Sequence, residues 1–232
     1  MLYEYQRKLM RTVREQTEEL RAQNERLARM NNELVEFVSN LVEARNLESG
    51  QHVKRVKAYT RILAEQIYAD DPDCGLNPQL INDIVSASAL HDVGKIMISD
   101  NVLLKPGKLT DEEFEYMKKH SVFGADILES AKELWDEAYR MLCCDICRHH
   151  HEKYDGRGYP DGLKGEEIPL AAQIVSVADC FDALTSERVY KKRFSADEAF
   201  RMISGGECGA FSERLMKAFE ESRALFTQQA GE

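Results

Sequence analysis

No stretch of the 232-residue chain approaches the roughly 18 consecutive apolar residues that a membrane-spanning helix requires. Nor does the chain open like a secretory signal, because residues 1–30 are dense in charge. The expected location is the cytoplasm. Positive charge is also scarce: 31 Lys and Arg stand against 41 Asp and Glu, a formal net charge of −10. That balance argues against nucleic acid polymers as partners. An anionic ligand would have to be met locally, by metal ions or a few placed basic side chains. There is no disulfide framework either, since Cys74, Cys143, Cys144, Cys147, Cys180 and Cys208 are scattered along a long chain. Cys144 and Cys147 make one CxxC near His149, but no second pair exists to close a tetrahedral zinc shell. The favoured reading is reduced thiols packed along a helix. No segment argues for a β-strand.

Residues 1–46 lack both proline and glycine. Val13, Leu20, Leu27, Leu34 and Leu41 recur every seven residues, and Leu2, Leu9, Met30 and Phe37 fall on the second seam position. Gln16 and Gln23 interrupt that second seam. The pattern predicts a coiled coil roughly 70 Å long at about 1.5 Å per residue. A parallel homodimer is the expected partner arrangement; the alternative is one amphipathic helix lying on its own domain. Such a helix would also suit a transmitter from an upstream sensor. From residue 47 the heptad fades and a globular pattern begins, expected to extend to residue 226.

Chemistry-bearing residues then accumulate. His91-Asp92-Val93-Gly94-Lys95 follows the apolar run Ile84 to Leu90, so an imidazole and a carboxylate are carried inward together. On a helix Lys95 would share the face of His91, and Gly94 would leave the backbone clear for a substrate. Glu48 and His52, four apart, share a helix face; alone, such a pair is commonly a solvated one. Thr110 and Glu113 form a capping box, and the helix they start carries Met117 and His120, the latter, taken alone, more often a structural histidine than a ligand. A further helix is expected over Ala131 to Cys147, with Leu134, Trp135, Ala138, Met141 and Leu142 inward. It leads into His149-His150-His151-Glu152 and then a turn-rich loop, Tyr154 to Gly162, where Tyr159 offers a ring or a hydroxyl. The apolar helix from Pro169 to Ala178 is expected to end in Asp179, a carboxylate that needs a partner if buried. Arg188, Lys191 and their neighbours form a basic cluster, either a solvated loop or a phosphate clamp. Ser195 and Glu198 make a second capping box.

Taken together, Glu48, His52, His91, Asp92, His120, His150, His151 and Asp179 supply five imidazoles and three carboxylates. That set suits two or three divalent ions such as iron, manganese, zinc or nickel.

The motifs His91-Asp92-Val93-Gly94-Lys95, Lys105-Pro106-Gly107, His150-His151-Glu152-Lys153-Tyr154-Asp155-Gly156-Arg157-Gly158-Tyr159-Pro160, Val177-Ala178-Asp179 and Asp182-Ala183-Leu184-Thr185 occur in an order that resembles the HD-GYP branch of the HD phosphohydrolases. The resemblance runs from about Leu41 to about Phe219. It implies an all-α helical bundle and hydrolysis of cyclic di-GMP to pGpG or GMP, with a hydroxide bridging the metals as nucleophile. It implies metal ligation by Glu48, His52, His91, Asp92, His120, His150, His151 and Asp179, with Asp92 as the bridge and Glu48 serving a third ion. Iron or manganese is the metal often found there. Lys95 matches the lysine that faces the reacting phosphate. Tyr159, Asp182, Arg188 and Lys191 match substrate-side positions. The chain departs from the pattern at Ser99, Val189 and Ser212, none of them a ligand. The alternatives are hydrolysis of another cyclic dinucleotide such as cyclic GMP-AMP, or a module that binds a cyclic dinucleotide or a partner without turnover.

Overall fold

The structure, a computed structural model, describes residues 2–45, 51–187 and 193–231. It divides into two compact units, Met1–Val38 and Ser39–Glu232. The first unit is the greater part of α1 (Leu2–Arg45). Without proline or glycine nothing interrupts that helix. Its heptad residues stand exposed, Leu20 at 57% and Leu34 at 61%. Arg11–Glu15 and Arg14–Glu18 pair one turn apart along its surface.

The second unit starts with the last turns of α1, where Ser39, Val42 and Glu43 turn inward and are buried. There follow α2 (Gln51–Asp70) and α3 (Pro78–Ala87), then two 3-10 turns, Ser88–Leu90 and Val93–Met97. The short α4 (Asp100–Leu103) leads to α5 (Asp111–Lys118), α6 (His120–Ser130) and α7 (Glu137–His149). The bundle closes with α8 (Leu170–Thr185), α9 (Ala196–Ser204), α10 (Glu213–Glu221) and α11 (Arg223–Ala230). Among the described residues there is no strand, only an isolated bridge between Asp155 and Lys164. The all-α expectation holds. Both expected capping boxes form: Thr110 with Glu113 starts α5, and Ser195 with Glu198 starts α9.

An aromatic core joins α2 to α8. Tyr59 stacks on Phe226 at 4.9 Å and meets the edge of Phe181 at 5.0 Å. Phe200 and Phe219 stack at 4.2 Å beside them. All five are fully buried. They share helices with functional candidates, since Tyr59 lies two turns beyond His52 and Phe181 sits between Asp179 and Asp182.

Four local expectations need correction. The helix expected from Ala131 begins at Glu137, because Asp136 caps it by accepting from the Tyr139 amide. Its inward face is Cys143, Ile146 and Cys147, whereas Leu134, Ala138 and Met141 are exposed. The helix expected to end at Asp179 runs on to Thr185, so Asp179 is a mid-helix residue. Lys95 lies in a 3-10 turn rather than on an α-helical face shared with His91. Gly94 does not keep a path open for substrate: a Cβ there would lie 1.9 Å from the His120 carbonyl oxygen and 2.4 Å from the Gly124 nitrogen. Its missing side chain lets α6 pack directly on the lysine turn.

Candidate metal centre

Each ligand candidate is delivered by the end or the inner face of a helix. His52 opens α2, His91 and Asp92 occupy the corner between the two 3-10 turns, and His120 opens α6. His150 and His151 follow α7, and Asp179 faces inward from α8. His52, His91, Asp92, His120 and His150 are all at most 6% exposed.

The imidazoles are held from behind. The Nδ1 of His91 donates to the Ser88 carbonyl at 2.8 Å, that of His120 to Met117 at 2.8 Å and that of His150 to Cys147 at 2.9 Å. A carbonyl can only accept, so each ring carries a proton on Nδ1 and turns its Nε2 toward the cluster. His52 is held instead by a carboxylate, its Nδ1 2.7 Å from Asp182 Oδ2. Asp182 in turn accepts from Arg55, through Nε and through Nη2 at 3.0 Å.

The Nε2 atoms of His52, His91, His120 and His150, and Oδ1 of Asp92, are buried without a hydrogen-bond partner. They converge. Asp92 lies 3.2 Å from the Nε2 of His91 and of His120, and 3.9 Å from that of His150. Asp179 Oδ1 is 3.8 Å from the Nε2 of both His52 and His91. Bare nitrogen lone pairs facing carboxylate oxygens in a dry interior repel unless a cation lies between them. The donors Asp92, His120, His150 and His151 lie within 4.8 Å of one another, as do those of His52, His91 and Asp179. This arrangement fits divalent metal ions.

The electrostatics agree. Burial raises the Asp92 pKa, but Lys95, His91 and His120 outweigh that and hold the carboxyl well below its usual range. Lys95 Nζ is 2.7 Å from Asp92 Oδ2. Burial pushes His120, His150 and His151 down, leaving them neutral and ready to ligate. His91 departs from this group. Burial lowers it, yet Asp92, Asp179 and Glu43 together raise it to about 10, so a proton there occupies the place that positive charge is asked to fill.

The turn-rich loop closes one side. The buried carboxylate of Glu152 accepts from the amides of Asp161 at 2.7 Å and Gly162 at 3.1 Å, which pins the loop. A Cβ on Gly158 would lie 2.3 Å from the Lys153 nitrogen, so only glycine fits there. Tyr159 is thereby set 4.7 Å from the His151 ring. Its hydroxyl pKa is raised by burial and by Asp92 and Asp179.

The structure thus brings together His52, His91, Asp92, His120, His150, His151, Asp179, Lys95 and Tyr159. Asp182, read from the sequence on the substrate side, is 1% exposed and lies behind His52. Glu48, Arg188 and Lys191 lie outside the described residues. Three contributors were not foreseen. Glu43 is 2% exposed and its carboxylate is within 4.8 Å of donor atoms of His52 and Asp92. Arg55 and Glu152 hold ligand and loop from behind. The one sequence signal for Glu43 is its place on the inward stripe Ser39–Val42–Glu43 at the end of the heptads. The cysteines are free thiols, with Cys143 and Cys147 buried and the Cys147 thiol against the His91 backbone.

A helical bundle that folds a His-Asp pair, further histidines and a distal aspartate around a buried cation site is the architecture of the HD phosphohydrolases. Residues 36–207 match the HD domain family, and the chain belongs to it. A cyclic di-GMP phosphodiesterase of Vibrio cholerae is 44% identical over 184 residues, covering 78% of this chain and 37% of that protein. A 3'3'-cGAMP-specific phosphodiesterase of the same organism is 42% identical over 184 residues, covering 79% of this chain and 33% of that one. The solved structure of Bd1817, an HDG"Y"P protein from Bdellovibrio bacteriovorus, shares the fold with a TM-score of 0.55 at 20% identity, covering 82% of this chain and 60% of that one. The chain spans less than half the length of curated relatives that it matches.

Proposed function

We propose that the protein is a metal-dependent phosphodiesterase that hydrolyses cyclic di-GMP to pGpG, GMP or both. The observation that carries this reading is the set of four buried Nε2 atoms aimed at Asp92 and Asp179. Two cations bound there would supply Lewis acidity toward a phosphodiester and activate a water. Asp92 lies between the two groups of donors and would bridge them. The donors are imidazole and carboxylate, which suits iron or manganese best and admits zinc or nickel. The carboxylate of Glu43, with His52 and Asp92, supports a third position, for which the sequence nominates Glu48.

The chain's own groups divide the remaining work. Lys95, 15% exposed and 2.7 Å from Asp92, brings an ammonium to the mouth of the site. There it stabilises charge growing on phosphate oxygens or protonates the leaving 3′-oxygen. Tyr159 offers a ring face beside His151. Asp182 orients His52, and it borders the substrate only through that ligand. Arg188 and Lys191 are assigned to the second phosphate of the ligand.

Residues 1–46 serve as a linker and dimerisation helix and 47–226 as the catalytic domain, although the compact unit begins earlier, at Ser39. The exposed heptad of α1 favours a homodimer, and its length suits a connection to a receiver or sensor domain. Free thiols fit the cytoplasm. The relative specific for 3'3'-cGAMP supports that ligand as the second reading of substrate.

The decisive experiment incubates the manganese-loaded chain with cyclic di-GMP, 3'3'-cGAMP and a panel of other nucleotides, with products read by mass spectrometry. Linear pGpG or GMP is expected. Lys95→Ala should retain its metal and lose most of its turnover, down to a small residual rate. Binding of cyclic di-GMP without product by the metal-loaded protein would overturn the enzymatic reading in favour of a signalling module.

A further inference from the structure

We propose that Arg45, the last residue of α1, is a positioning residue for Lys95; the inference rests on the functional reading above. Its guanidinium is divided between the turn that carries the lysine and Asp100 at the start of α4. Nη1 donates to the carbonyls of Lys95 at 3.1 Å and Ile96 at 2.7 Å, and Nη2 to that of Ile98 at 2.7 Å. Nε and Nη2 also donate to Asp100 Oδ1, at 3.1 and 2.7 Å. The Lys95 carbonyl also accepts from the Ile98 amide at 3.1 Å, so Arg45 adds a second donor there, and all three carbonyls lie at the C-terminal end of the turn, where helical acceptors run out of backbone partners. Ile98 anchors that end in the core at 1% exposed and the Tyr116 hydroxyl donates to the Met97 carbonyl at 3.3 Å, but the two residues directly after the lysine pack little, Ile96 being 52% and Met97 56% exposed. The turn is therefore fixed from two sides. Gly94 seats it against α6 within, and Arg45 clamps its carbonyls without. Between them the Lys95 ammonium is kept against Asp92.

Among the described residues Arg45's hydrogen bonds go to Lys95, Ile96, Ile98 and Asp100 and to no metal-ligating candidate, so its loss should spare the cations and disturb the lysine. It also lies two residues beyond Glu43 on the same helix. The segment that bears the heptad seam therefore terminates on the catalytic lysine's own backbone.

The test uses the full chain loaded with manganese. Arg45→Ala should lower kcat about 10- to 100-fold, the scale of a misplaced catalytic group, with KM shifted less than about threefold and manganese per chain unchanged. Arg45→Lys should recover part of the loss. In a Lys95→Ala background, Arg45→Ala should cost nothing further, because the two residues act through one group. A second readout needs no substrate. Trace acetylation with acetic anhydride, mapped by mass spectrometry, should rise severalfold at Lys95 relative to exposed Lys54 in Arg45→Ala. An equal loss of kcat in both backgrounds, loss of manganese, or an unchanged acetylation ratio would overturn the proposal. A wild-type chain that turns over no cyclic dinucleotide would sink the functional reading, and the acetylation ratio would still decide the role of Arg45.

Discussion

The two halves of the metal centre are built differently. In the inner half, His120 and His150 are fixed by backbone carbonyls at helix ends, and burial leaves their rings neutral. In the outer half, His52 is fixed by the Asp182 carboxylate, itself anchored by Arg55. A backbone carbonyl cannot be removed by substitution, whereas a carboxylate can. A carboxylate partner also makes its imidazole more basic and a stronger donor. The inner half is thus set by the fold, whereas the outer half is set by the fold at His91, held by the Ser88 carbonyl, and by side chains at His52, so the sensitivity of His52 should separate from the rest.

Asp92→Ala offers the largest contrast, because it removes the group the halves share. Both should lose metal, and turnover should fall below detection; elemental analysis beside a product assay checks this. Next, Asp182→Asn should weaken only the outer half. Its metal affinity should fall about 10- to 100-fold, seen as loss of the more labile ion on dialysis against a mild chelator. Equal loss of both ions would erase the distinction. Gly94→Ala forces a methyl group against the His120 carbonyl of the inner half. It should cost about 1–3 kcal/mol, a melting temperature lower by roughly 3–10 °C, in a thermal unfolding scan.

The smallest effect concerns the thiols beneath. Cys143 is pushed up to about 12 by burial, and Cys147, whose thiol donates to the His91 carbonyl at 3.1 Å, is raised as well. A raised thiol pKa keeps the proton on at pH 8, and the thiolate appears only as the pH climbs toward the shifted value. Iodoacetamide at pH 8 should modify the partly exposed Cys74 and spare Cys143 and Cys147 in the folded chain. Peptide mapping reads the pattern.

Much of this centre was legible because histidine is rare in the chain and its chemistry is local. His91-Asp92 and His150-His151 announce themselves wherever the backbone carries them. The supporting residues do not. Glu43 and Arg45 look like two more charges in a helix crowded with charge, and only folding separates the stripe that turns inward. Asp182 repeats the spacing of a surface carboxylate, and its partnership with His52 spans 130 positions. The phase of α7 was missed for a local reason, since the Asp136 cap moves the helix start and rotates which residues face in. Gly94 was misread because the atoms that need its smallness belong to α6, remote in sequence.

The aromatic core carries a last consequence. Tyr59 and Phe181 weld together the two helices that present His52 and Asp179, and one rung of α8 serves as both hydrophobic filler and ligand support. Cofactor retention and heat resistance are for that reason not independent properties of this protein. Mutants selected only for a loosened interior would emerge from purification already short of metal while still folded, and added metal would raise their melting point more than that of the parent.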